Sequence, residues 1–192
     1  MNKLFISGSF LLIIFISSCK SHNTAVNNTI VDTTRFLPVM DFIASDIKDV
    51  KSTPYFIYKI RTLDKKKDST NLSVADFELF AHSFLQFDIT KAPLKSQFRE
   101  STFHDNTTKS NTFIYTPLNA TAEIRNITVL LDESTDRPKN IFIQTIKQIK
   151  DTSIIERLQW KPRKSFRITT ITQAKGYNRE ESNYVSWNEV SN

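Results

Sequence analysis

His104 and Asp105 are neighbours in the chain, and an imidazole beside a carboxylate can serve as a general base or a metal ligand. Their surroundings favour a plainer role. Side chains at adjacent positions of a strand leave on opposite faces, and Asn106-Thr107-Thr108-Lys109-Ser110 behind the pair is a turn signal. His82 lies four residues after Glu78 on a patterned helix, which suits a solvated His better than a metal ligand shared with His104. His22 falls in a polar stretch. Asp132/Glu133 and Glu180/Glu181 are adjacent carboxylates in loop-like segments and read as solubilising charge. No G-x-S-x-G elbow, H-E-x-x-H or EF-hand pattern occurs. Serine chemistry on another fold stays open, because a triad is recognised by geometry. The basic groups are Lys65, Lys66 and Lys67, and Lys161, Arg163, Lys164 with Arg167. They read as solvated loops, with attraction to anionic lipid head groups or an acidic partner as the functional alternative. No catalytic residue, metal ligand or cofactor follows from these patterns, and the chain is expected not to be an enzyme.

Composition narrows the field further. Only 2 Gly occur in 192 residues, which excludes Gly-rich phosphate loops and flexible low-complexity arrays. One Cys excludes an intramolecular disulfide and a multi-cysteine zinc site. The net charge of +6 is a mild basic bias. The 12 Phe, 5 Tyr and 2 Trp after residue 18 most simply fill a core, although a curved sheet around many aromatics could instead enclose an apolar ligand.

The sole Cys is the most informative residue. Residues 1–3 are a short positive start, and residues 4–16 carry no charge. That apolar run is shorter than the roughly 20 residues needed to span a bilayer as a helix, and it fits the apolar region of a secretory signal. It ends in Ile16-Ser17-Ser18-Cys19, an apolar residue and two small ones before Cys. These residues resemble the lipobox of bacterial lipoproteins. The resemblance implies cleavage before Cys19 by signal peptidase II and attachment of diacylglycerol to its thiol. Lys20, in place of the Asp that retains lipoproteins in the inner membrane of enteric bacteria, looks like an outer-membrane address. The Asn-, Lys- and Phe-rich style resembles small uncharacterised lipoproteins of the Bacteroidota. Surface-exported members often carry an acidic cluster after the Cys. Lys20-Ser21-His22-Asn23 has none, which favours the periplasmic side.

The expected organisation is therefore a signal peptide at 1–18, the acylated Cys19 with a polar tether to 34, and a single α+β domain over 35–192. Within the domain, Phe36, Val39, Met40, Ile43, Ile47 and Val50 recur at helical spacing and predict a short helix over 35–50. After Pro54, residues 55–60 read as a buried strand and residues 65–68 as a solvated loop. Ser73 caps the best helix of the chain, which runs to Phe87 with Val74, Phe77, Phe80, Ala81, Phe84 and Phe87 on one stripe. Strands follow at about 96–105, 111–116, 122–131, 141–149, 154–160, 165–173 and 184–188, with a charged loop at 132–140. Short connections make neighbours antiparallel hairpins. The expected fold is a curved antiparallel sheet of about seven or eight strands in a meander, with one or two helices packed on it.

For function, the leading expectation is a membrane-anchored envelope lipoprotein acting as a non-enzymatic binding or structural module. Its partners would be the membrane, through the anchor, and an envelope protein or an apolar ligand; nucleic acid is not expected. One rival is a lipid or lipoprotein carrier or receptor with an apolar cavity, since outer-membrane proteins of that kind use a half-open barrel with helices packed inside it. Others are an envelope hydrolase built on His104 and Asp105, and an inhibitor or immunity lipoprotein.

Overall fold

The computed structural model describes residues 36–188. The signal, Cys19 and the tether lie outside the described residues. Helix α1, Val39–Ser52, and helix α2, Val74–Leu85, flank a hairpin of β1, Tyr58–Leu63, and β2, Lys66–Asn71. Seven further strands follow: β3, Phe98–Asp105; β4, Ser110–Pro117; β5, Ile124–Asp132; β6, Pro138–Ile149; β7, Thr152–Lys161; β8, Ser165–Ala174; and β9, Tyr177–Ser186. All pair antiparallel in one open sheet of nine strands, ordered β2-β1-β9-β8-β7-β6-β5-β4-β3. The fold is α+β, as expected, and β3 to β9 form the meander. The strand count is nine rather than seven or eight.

The extra strand is β2, over the stretch read as a solvated loop at 65–68. KKDSTN has no apolar alternation, and every residue of β2 is exposed. It is an edge strand, where charge discourages pairing with other chains. Asp64 and Lys65, at φ 47° and 70°, form the two-residue turn that leads into it. β1 starts later than the expected strand at 55–60 and is half-buried throughout, with Phe56 before it 69% exposed. β6 starts inside the expected loop at 132–140, and β9 starts at Tyr177 rather than near 184. Polar residues obscure the early part of β9, YNREES, because neither face is lined by apolar side chains there.

Both helices pack on the same face of the sheet. The Trp160 indole of β7 meets Phe84 of α2 with centroids 5.0 Å apart and donates to Asp46 of α1. Around it, Trp160 stacks on Phe166 at 5.1 Å, and Phe77 lies against Phe166 and Trp187 at 5.7 and 5.2 Å. Two register rows line this inner face: Val129, Ile141, Trp160, Phe166 and Val185, then Ile127, Ile143, Leu158 and Ile168. All are buried, and with Phe77, Phe84 and Trp187 they fill the space between helices and sheet, whereas Phe56, Phe103 and Phe142 are exposed. Ser73 caps α2 by accepting from the Asp76 N–H at 3.1 Å. Phe77, Ala81 and Phe84 are buried, whereas Val74 is exposed and Phe80 is half-buried, so the stripe is narrower than its sequence spacing implies.

Candidate functional site

The tempting pair at the end of β3 divides between two structural jobs. The His104 ring faces acceptor oxygens on both sides, Asn111 Oδ1 at 2.9 Å from Nδ1 and Asn106 Oδ1 at 3.0 Å from Nε2. These bonds, that to Asn111 above all, together with the Glu133 carboxylate 3.8 Å away, raise the imidazole above its ordinary pKa. Asp105 turns instead to the loop and accepts from the Thr107 N–H at 2.8 Å and the Thr108 hydroxyl at 2.8 Å. That is an Asx-type turn, and the hydroxyl and N–H donors hold the carboxyl below the usual range. The two groups are neighbours in sequence and do not work as a dyad.

The other candidates separate in the same way. Glu78 is ion-paired with Lys51 of α1 at 2.7 Å, and His82 is exposed. Asp132 accepts from Ser134 and Thr135 and pairs with Lys139 at 3.1 Å, which closes the turn before β6 and keeps its carboxyl well below the usual range. Glu181 takes a two-pronged contact from Arg61, 2.7 Å from Nε and 3.1 Å from the second nitrogen, and Arg179 adds a contact at 3.4 Å. Among the described residues no cluster of three or more His, Cys, Asp or Glu is placed to hold a metal ion.

Convergence appears on the opposite, outer face of the sheet. Trp160 and Leu158 point to the helices, so Gln159 and Arg157 point away, and the same alternation turns Phe142, Gln144, Arg167, Thr169 and Tyr184 outward. Register sets Phe142, Gln159, Arg167 and Tyr184 side by side in one row across four strands. The Arg167 guanidinium lies over the Tyr184 ring at 4.9 Å. Tyr58 meets Tyr184 edge-on at 6.5 Å, and Phe56 meets Tyr58 at 6.5 Å, which prolongs the aromatic row.

Depressions adjoin along this row. One of about 320 Å³ lies among Phe142, Gln144, Arg157, Gln159, Arg167 and Thr169. Gln159 and Arg167 also border a small dip of about 30 Å³ beside Lys161 and Tyr184. Lys161 leads on to a third, of about 410 Å³, with Pro138, Lys139, Asn140, Pro162 and Lys164. Among the described residues lining these three there is no carboxylate. A further depression of about 520 Å³, nearer β1, is of mixed charge, with Asp64 and Glu180 beside Lys65.

The sequence singled out Lys161, Arg163, Lys164 and Arg167 as a basic group. The structure keeps Lys161, Lys164 and Arg167 on this face and adds Arg157 from β7, while Lys139 of β6 borders it with its ammonium ion-paired to Asp132. Arg163 differs, because its backbone N–H donates to Asp46 on the inner side at 2.8 Å. Arg157 was missed because it stands apart from the basic run around Lys161; outward strand alternation was the only signal available. No family model and no curated protein matches the chain.

Proposed function

We propose that the chain is an outer-membrane lipoprotein, anchored at Cys19 and facing the periplasm, that works as a non-enzymatic binding module. It takes an anionic partner on the outer face of β6 to β9. The observation that carries this reading is the run of adjoining depressions lined by Arg157, Lys164 and Arg167, with no carboxylate among their lining residues. Among the described residues, Arg157, Lys164 and Arg167 form no ion pair, so their charge is available to a partner. An anchor suits such a surface, because confinement near the bilayer raises the effective concentration of a weakly held partner.

Site-directed photocrosslinking in intact cells tests it. A photoreactive residue at Gln144, on the outer face, should give adducts that are absent when it is placed at Lys48, on the exposed side of α1. The double variant R157E/R167E should abolish them. Equal labelling from both positions would overturn the proposal.

A second reading, a lipid or lipoprotein carrier or receptor, is favoured by one observation: an open sheet holds two helices against one face. The inner apolar rows already meet those helices, and beyond Ile168 the row continues into polar Asn183 and Arg61. Mass spectrometry of ligands extracted from the purified protein separates the two readings. Bound lipid in stoichiometric amount would favour the carrier.

A further inference from the structure

We infer that the outer face of β6 to β9 docks flat on a bilayer surface bearing anionic phospholipid head groups. This inference rests on the binding-module reading and names its partner. The outer row sets one cation, Arg167, among the aromatic side chains Phe142, Tyr184, Tyr58 and Phe56, and Arg157 stands in the next row between Gln144 and Thr169. Phe142 at one end is 36% exposed and Phe56 at the other is 69% exposed. Aromatic side chains settle at the boundary between head groups and acyl chains, while Lys and Arg are drawn to anionic lipid, so one surface offering both matches that boundary chemically. An acidic peptide would need a groove to hold its backbone. The depressions here are instead spread side by side, sharing Gln159, Arg167 and Lys161 at their borders. From β6 to β9 the row crosses three inter-strand steps, about 14 Å at the usual strand spacing, enough to meet more than one head group.

The planar guanidinium groups of Arg157 and Arg167 suit phosphate, which they can engage through paired N–H donors. Arg167 is pre-positioned, held over Tyr184 and within 3.5 Å of the Ser182 hydroxyl to which it donates. Lys164 extends the charge beyond Pro162. The acyl anchor proposed at Cys19 would keep the domain beside the bilayer, and the outer face would set its orientation there. A diacylglycerol brings two acyl chains, which anchor stably, so the basic face would add orientation rather than retention.

The full chain, carrying the photoreactive residue at Gln144 or at Lys48, is reconstituted into vesicles of phosphatidylcholine with phosphatidylglycerol and into phosphatidylcholine alone. Lipid adducts should form from Gln144 in the phosphatidylglycerol vesicles, well above those from Lys48, and should fall at high salt. R157Q and R167Q should each reduce them about five-fold. Both side chains are exposed, so the melting temperature should be unchanged, and the salt dependence of the unsubstituted protein is a readout that needs no variant. Adducts equal in phosphatidylcholine alone, or indifferent to salt, overturn the lipid inference. If cells yield only protein adducts from Gln144, the lipid inference falls and the binding module stands. If Gln144 and Lys48 label alike in both settings, both fall.

Discussion

Asp46 belongs to α1, yet its carboxylate ends on the sheet. Its Oδ2 accepts from the Trp160 indole at 2.8 Å and from the Arg163 backbone N–H at 2.8 Å. One carboxylate thereby ties a helix, a strand and a turn whose central residue sits at φ 63°. Burial dominates over these donors and raises its pKa. Glu156, on the inner face beyond Leu158, is raised too, first by burial and then by Glu123 nearby. A carboxyl raised in the folded state binds a proton more readily there than in the unfolded chain. Its contribution to stability is therefore present below the ordinary carboxylate pKa and is lost as pH rises through the folded value. Glu156→Gln should accordingly melt a few degrees above the unsubstituted protein at neutral pH and level with it in acid. Thermal unfolding at the two pH values checks this; a variant less stable at neutral pH would mean that the charge is held favourably. Asp132 and Glu181 have the opposite sign, since their donors lower them, and they favour the fold above the ordinary carboxylate range.

At the scale of elements, α2 divides its apolar residues into unequal classes. Phe84 is fully buried and touches Trp160 and Phe166 at 5.0 and 5.4 Å. Phe80 is half-buried with the Lys59 ammonium 4.8 Å over its ring, and Leu79 is 77% exposed. Phe84→Ala should cost about 3–5 kcal/mol by leaving a cavity, Phe80→Ala about 1–2 kcal/mol, and Leu79→Ser less than about 0.5 kcal/mol. Denaturant titration of the three variants checks the order; equal losses would contradict the way α2 lies on the sheet. The helix was legible from Ser73 and its apolar spacing, because a 3.6-residue period and a cap are local signals. Which side of the stripe is deepest was not legible, because the Trp160–Phe166 stack that receives it comes from residues far along the chain. β2 escaped notice for a related reason: an edge strand is held by main-chain pairing with β1, which the residues KKDSTN do not announce.

For the whole molecule, the anchor is the feature on which the proposed role depends. Labelled palmitate should enter the protein and be lost in Cys19→Ala; label persisting in that variant would refute acylation at this residue. No described helix is long and apolar enough to cross a membrane.

What residue order alone determined is what local chemistry enforces. Apolar periodicity set both helices, turn residues separated most strands, and short connections made those strands antiparallel. A single Cys at the end of an apolar run is the ground on which the anchor is proposed. Tertiary structure alone decided what depends on register across the sheet. Arg157 and Arg167 are ten residues apart in sequence and reach one depression because β7 and β8 pair with Gln159 opposite Arg167. His104 and Asp105 are adjacent in sequence and diverge because successive strand side chains leave on opposite faces and the following turn claims the carboxylate. Strand alternation sends neighbours in sequence apart, and pairing brings distant residues together, so the basic outer face could not be read until the register was known.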